Sequence, residues 1–321
     1  RDVLGSRGLG DVYKRQGDFP RYLPEGYQQG RECIDAGQSG KTSIDMRQKD
    51  IEFPDCWEEV KPLEWLHLLK NREKLMTKPG ISLLDVKREW CAYVLKNRGY
   101  VFRSKVQDML LVDHLAETLA WMWRMEGDAV VLAYDSTVNL IPEWRYLRGP
   151  MSHGADLAFG EFRHAVAAVN RYNAGHEPVD LQALCAILYR PPVEKKGCVE
   201  REPFREQYMG RYMGLVEHMP VWMRWGIYAW FSYFCEYLFS GTFIIDGLEL
   251  CFGPVFSRGR DKDTRQNDVQ SLGMNSILFS VAESGVFGNA RATDDTLLLR
   301  VMMKLLDDRQ RADELMRNLK K

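Results

Sequence analysis

Asp180-Leu-Gln-Ala-Leu-Cys-Ala-Ile-Leu-Tyr-Arg-Pro-Pro192 reads as an apolar docking helix with a hard stop. Pro191 and Pro192 lack the backbone N–H that another turn needs, and their rings clash with the turn before them. The helix must therefore end on Tyr189-Arg190. A helix this apolar needs other elements to bury it, and the remaining sequence supplies helices.

Pro62 suits a first helical turn, with Leu63, Leu66 and Leu69 along one face, and Pro79-Gly80 ends that helix. Ser82 with Asp85 three residues on has the form of a capping box, followed by Leu83, Val86, Trp90 and Val94 at helical spacing. Residues 104–125 read as a third, largely buried helix. Ala129 to Tyr134 is the one strand-like run, and it is expected to turn at Asp135-Ser136 into a small hairpin with 137–141. Further helices are expected at 157–172, 180–188, 203–217, 220–239, 271–284 and 294–320. The fold class is mainly α, a multi-helix bundle-like arrangement with at most one small β-hairpin. No fixed-period repeat points to a solenoid.

Four segments follow. Residues 1–16 resemble a translated sequencing adaptor and are set aside, so the true N-terminus is expected to be missing. Residues 17–56 form a polar extended arm, 57–142 an N-terminal helical part and 143–321 a C-terminal one, with the Gly-Pro loop at 143–156 as the boundary.

With Lys+Arg 44 against Asp+Glu 45, the chain has no global field to draw it to nucleic acid or an anionic bilayer. Seven cysteines stand singly, with no C-x-x-C pair, and Cys91, Cys185 and Cys235 lie in apolar helical runs. A reducing, intracellular compartment is expected.

Several constellations suggest chemistry. Gly37-Gln-Ser-Gly40-Lys41-Thr42 approaches a phosphate-binding loop, but Asp35 stands where the pattern needs glycine, and no strand precedes it. Glu64/His67 and Glu161/His164 are Glu-x-x-His pairs which, with Glu117 and Glu236, would be the raw material of a di-iron carboxylate bundle. Their chain order departs from the usual one, and ordinary surface or capping roles are favoured. Residues 225–245 have the length of a membrane span, yet Glu236 sits near the middle, which favours a buried core helix. Phe204, Tyr208 and Tyr212 recur every fourth residue beside Arg201, Arg205 and Arg211; the inner face of an amphipathic helix accounts for them better than a nucleic-acid platform. His153 with Asp156 is the remaining catalytic-looking pair, without a Gly-x-Ser-x-Gly elbow.

In the last helix, Leu298, Met302, Leu305, Arg309, Ala312, Met316 and Leu319 keep a 4,3 spacing. Residues 297–306 should be core. Beyond Arg309, the short stripe of Ala312, Met316 and Leu319 is a candidate partner-binding surface, the competing and slightly favoured reading being a last helix that simply frays.

The Leu188-Tyr189-Arg190-Pro191 stop after Arg148-Gly149-Pro150, together with Asn139-Leu-Ile-Pro142 and Gly285-Val-Phe-Gly288, resembles bacteriophage and prophage tail-module proteins of the tail-assembly-chaperone kind. The likeness extends from about Trp57 onward and contributes no catalytic residue. It implies a non-enzymatic chaperone-like or minor tail structural protein, without cofactor, nucleic acid or membrane. Such a protein would work in the host bacterial cytoplasm or be incorporated in the virion, through contacts with tape-measure or tube proteins. The alternatives are a di-iron carboxylate bundle on Glu64, His67, Glu117, Glu161 and His164, and a membrane-associated protein anchored near 225–245.

Overall fold

Pro62 opens the first α-helix (α1, Pro62–Thr77), and the Ser82/Asp85 capping box opens the second (α2, Leu83–Asn97). The box is reciprocal: the Asp85 N–H donates to Ser82 Oγ at 3.2 Å, and the Ser82 N–H donates to Asp85 Oδ2 at 2.9 Å. A third helix, α3 (Lys105–Thr118), begins where the Asp108 carboxylate accepts the Arg103 and Ser104 N–H groups. The structure, a computed structural model, describes residues 51–127, 129–195, 197–245, 247–256 and 274–319. The Gly37 to Thr42 run, the adaptor-like segment and most of the polar arm lie outside the described residues.

The chain divides into two compact units between Tyr134 and Asp135. In the first unit, α1, α2 and α3 enclose an aromatic core. Trp57 meets Trp65, Trp121 and Tyr134 at centroid distances of 5.1, 5.0 and 4.8 Å. Buried indoles need a hydrogen-bond acceptor, and Trp57 donates to Ala133 O while Trp90 donates to Glu64 O.

The expected helix at 104–125 stops early. A 3-10 turn (Leu119–Met122) follows α3, and strand β1 (Trp123–Glu126) then pairs antiparallel with β2 (Ala129–Leu132). Gly127, at φ +59°, supplies the left-handed backbone of the turn. The strand-like run is therefore a hairpin arm, but its partner precedes it rather than following at 137–141.

In the second unit, β3 and β4 (Glu143–Trp144, Leu147–Arg148) precede α4 (Phe159–Gly175) and α5 (Pro178–Leu188). His176, at φ 54°, closes α4 by donating its N–H to Tyr172 O. Helix α5 is buried from Leu181 through Leu188 except at Gln182, as its composition requires. A hairpin, β5 (Pro192–Lys195) with β6 (Cys198–Arg201), leads through a 3-10 turn (Glu206–Tyr208) to the short α6 (Met209–Leu215). The residues expected as one helix at 203–217 are thus only partly helical.

Helix α7 (Val221–Ser240) packs against α5, and its Trp230, Phe231 and Phe234 meet Phe162 of α4 or one another. After α7 come the hairpin β7 (Thr242–Ile245) and β8 (Leu248–Cys251), then α8 (Gly253–Phe256), α9 (Met274–Glu283), α10 (Ala290–Asp294) and α11 (Leu298–Leu319). The start of α11 is tied to that of α4, because Leu298 N–H donates to Leu157 O and Phe159 N–H donates to Thr296 O, each at 2.8 Å.

The fold is mainly α, yet four two-stranded antiparallel sheets are present among the described residues where one hairpin was expected. The unit boundary also lies before the expected Gly-Pro loop. Asp135 to Pro142 belongs with the second unit because Trp230 Nε1 and His153 N–H both donate to Thr137 O, and the Tyr189 hydroxyl donates to Ile141 O.

Candidate functional site

The second unit holds a pocket of about 1210 Å³ beside the first turn of α4. Glu161, in that turn, is 2 % exposed and accepts Arg190 Nη1 on Oε1 at 3.1 Å. Arg201, at the end of β6, donates to both oxygens of the same carboxylate and, through Nε, to Asp156 Oδ2 at 2.9 Å. Asp156 also accepts the Met151 N–H. Arg190 comes from the stop after α5, where the chain turns into β5, and its Nε donates to Glu202 O. Two buried guanidiniums therefore share one fully buried carboxylate.

Burial opposes both positive charges. For Arg190 it prevails over Glu161 and lowers the pKa, aided by the like charge of Arg201. For Arg201, Glu161 and Asp156 together outweigh burial and raise it. Both remain protonated at neutral pH.

Around this centre, Arg163 forks onto Asp294 and Arg205 onto Asp295. Phe204 lies under Arg190, its centroid 5.7 Å from the guanidinium carbon, and 5.1 Å from the His164 ring. Burial lowers the His164 pKa, only partly offset by Glu206, whose carboxylate is 3.9 Å from Nε2. The lining residues contain neither cysteine nor serine.

The di-iron ligand set is not assembled. Glu64 is wholly buried on Arg98, while His67 stacks on Tyr93 at 3.9 Å and faces Glu89, not Glu64. Glu161 is consumed by Arg190 and Arg201, and Glu117 and Glu236 are exposed. Among the described residues, the one group of three acidic, His or Cys side chains with ligand atoms close together is Asp55, Cys56 and Glu59, which contains none of them.

The apolar run at 225–245 is divided between α7 and β7, with Glu236 exposed, and no described helix is long and apolar enough to cross a membrane. The aromatic stripe is broken as well: Tyr212 is buried, Arg211 is paired with Glu202, and Arg205 with Asp295. His153 contacts Thr137 Oγ1 at 2.7 Å, whereas Asp156 serves Arg201 and Met151, so the two form no catalytic pair.

The expected core at 297–306 is buried on one face only: Leu297 is exposed, and Leu299 and Leu305 are half-buried. Leu298, Val301, Met302 and Leu306 are buried, and Ala312, Met316 and Leu319 are exposed.

No family model, no characterised protein and no solved structure matches the chain at a significant level.

Proposed function

We propose that the protein is a non-enzymatic bacteriophage or prophage tail-module protein, most like a tail-assembly chaperone or a minor tail structural component. It acts in the host bacterial cytoplasm or within the virion by binding tape-measure or tube proteins. The tail-module part rests on the resemblance around Leu188 to Pro191, and one structural observation supports the protein-binding part. The last helix leaves its core at Leu306 and continues to Leu319 with Leu315, Met316 and Leu319 at 65, 54 and 82 % exposure. A bare helix of about a dozen residues is marginal in water, and packing of an amphipathic face normally supplies the missing stability. The stripe therefore suits a helix-in-groove contact.

Co-expression with the tube and tape-measure proteins encoded beside it provides the test. A stoichiometric complex that resists dilution is expected. A chain that stays alone beside each of them, or a locus without tail genes, would overturn the proposal.

A further inference from the structure

Arg148 and Arg190 face each other across an isolated antiparallel bridge. The Arg148 N–H donates to Arg190 O at 2.9 Å, and the Arg190 N–H donates to Arg148 O at 3.1 Å. Side chains of such a pair rise from the same face, with their Cα atoms about 5.5 Å apart. Both line the pocket described above.

Their guanidiniums are only partly used. Arg148 donates Nη1 to Val199 O at 3.0 Å, and its Nε and Nη2 have no partner among the described residues. Arg190, 2 % exposed, spends Nε and Nη1 on Glu202 O, Glu161 and Ile187 O, which leaves Nη2 without a partner there. An arginine carries five donors in a planar fork matched to a carboxylate. Arg190 Nη2 is not among the buried side-chain atoms that lack a partner, so this spare edge is open to water and is suited to an acceptor from outside.

The lining fixes the class of that acceptor. It holds six arginines against seven carboxylates, so a polyphosphate or a nucleic-acid backbone would meet as much repulsion as attraction. A single carboxylate matches two partly used guanidiniums. Pro150, Met151 and Phe204 offer apolar surface beside them. At about 1210 Å³ the space exceeds the roughly 300–1,000 Å³ of common small-ligand pockets and accommodates several residues of chain.

We propose that this pocket binds a peptide segment of another protein, with Arg148 and Arg190 jointly holding one carboxylate of that segment. The site is separate from the exposed stripe of the last helix, and the proposal does not rest on the tail-protein reading. It can hold if that reading fails, and the reverse.

The test titrates the full chain with two pools of capped pentapeptides, one with Asp fixed at the centre and one with Asn. Succinate serves as the small-acid arm, and the readouts are calorimetry and the arginine Nε–H signals in NMR. The Asp pool should bind saturably and shift the Arg148 Nε–H signal. Binding should weaken at least tenfold, about 1.4 kcal/mol, in Arg148→Gln, and should be unchanged in Arg211→Gln, whose side chain lies outside the lining. Arg148 is exposed, so this variant does not depend on the buried cluster; Arg190→Lys, if it folds, should also bind more weakly. Equal binding of the Asp and Asn pools, no binding by either, or unchanged affinity in Arg148→Gln would overturn the proposal. Succinate binding as tightly as the Asp pool would overturn its peptide part and assign the pocket to a free acid.

Discussion

Arg98 grips Glu64 from both sides, with Nε 2.9 Å from Oε1 and Nη2 2.8 Å from Oε2, and the carboxylate they enclose is wholly buried. The Lys61 N–H and Asn97 Nδ2 complete its hydrogen bonds. One carboxylate thus joins the start of α1 to the end of α2. Breaking a buried pair by removing one partner leaves an uncompensated charge, at a cost of about 3–5 kcal/mol. Arg98→Ala should lower the urea midpoint of the first unit accordingly, and Glu64→Gln in the Arg98→Ala background should recover part of the loss. Equal stability of wild type and Arg98→Ala would show that the pair contributes nothing.

The same unit should lose stability in acid in two stages. Burial raises the Glu64 pKa, but Arg98, Lys61 and Asn97 outweigh it, and the net value lies below the ordinary 4.5. For His67, burial lowers the value below 6.5, with Glu89 only partly opposing. In both cases the unfolded chain binds the proton more readily, so the stabilisation is complete above the unfolded pKa and is lost as pH falls through the folded one. Urea midpoints should decline first below pH 6.5, a decline that His67→Phe reduces, and again below 4.5, one that Glu64→Gln reduces and to which Asp85, lowered by its Ser82 hydrogen bonds, also contributes. A midpoint that rises between pH 6.5 and 5 would contradict the sign for His67.

How much of this was legible follows from the range of each interaction. The stop at Tyr189-Arg190 is written locally, since two prolines enforce it whatever surrounds them. The capping box of α2 is local too. The partners of Glu161, by contrast, lie 29 and 40 residues away, and no periodicity marks them. The sequence offered Glu161 beside His164 as a metal pair, while the fold brings arginines to it. Residues 104–125 misled for a different reason: their apolar spacing fits a helix throughout, and only the left-handed turn at Gly127 gives 123–126 a strand to pair with.

Two glycines with similar backbone angles should respond very differently to alanine. Gly127, at φ +59°, has nothing within 4 Å of an added Cβ, so Gly127→Ala should cost the left-handed strain alone, about 1–2 kcal/mol. At Gly154, φ +63°, the same Cβ would stand 2.4 Å from Phe234 Cζ in the core. Overpacking adds about 1–3 kcal/mol. Chemical denaturation of both variants should rank Gly154→Ala as the more damaging, and the reverse order would refute this account of the Gly154 turn.

Native-state alkylation should divide the cysteines. Burial pushes the Cys91 thiol up to about 12 and also raises Cys185 and Cys235, so none of the three presents thiolate at pH 8. Cys198 and Cys251 are exposed and free. Iodoacetamide followed by peptide mass spectrometry should label those two within minutes and the buried three only in denaturant. Prompt labelling of Cys185 would mean that α5 is not buried as described.

The last helix separates stability from partner binding. Its first half buries Leu298, Val301, Met302 and Leu306, and its second half carries Arg309–Asp313 and Arg311–Asp307 pairs on the surface. Exposed i,i+4 pairs contribute only about 0.3–0.5 kcal/mol each, so deleting 309–321, which removes both, should shift the melting temperature by no more than about 4 °C in a domain this size. Met316→Asp with Leu319→Asp should behave likewise, since both side chains face solvent. Either change should nevertheless abolish co-purification with a co-expressed tail protein, because an inserted charge cannot be desolvated in an apolar groove. A large loss of stability would show that this half is packed after all. A tail protein that still co-purifies would remove Ala312, Met316 and Leu319 from the interface.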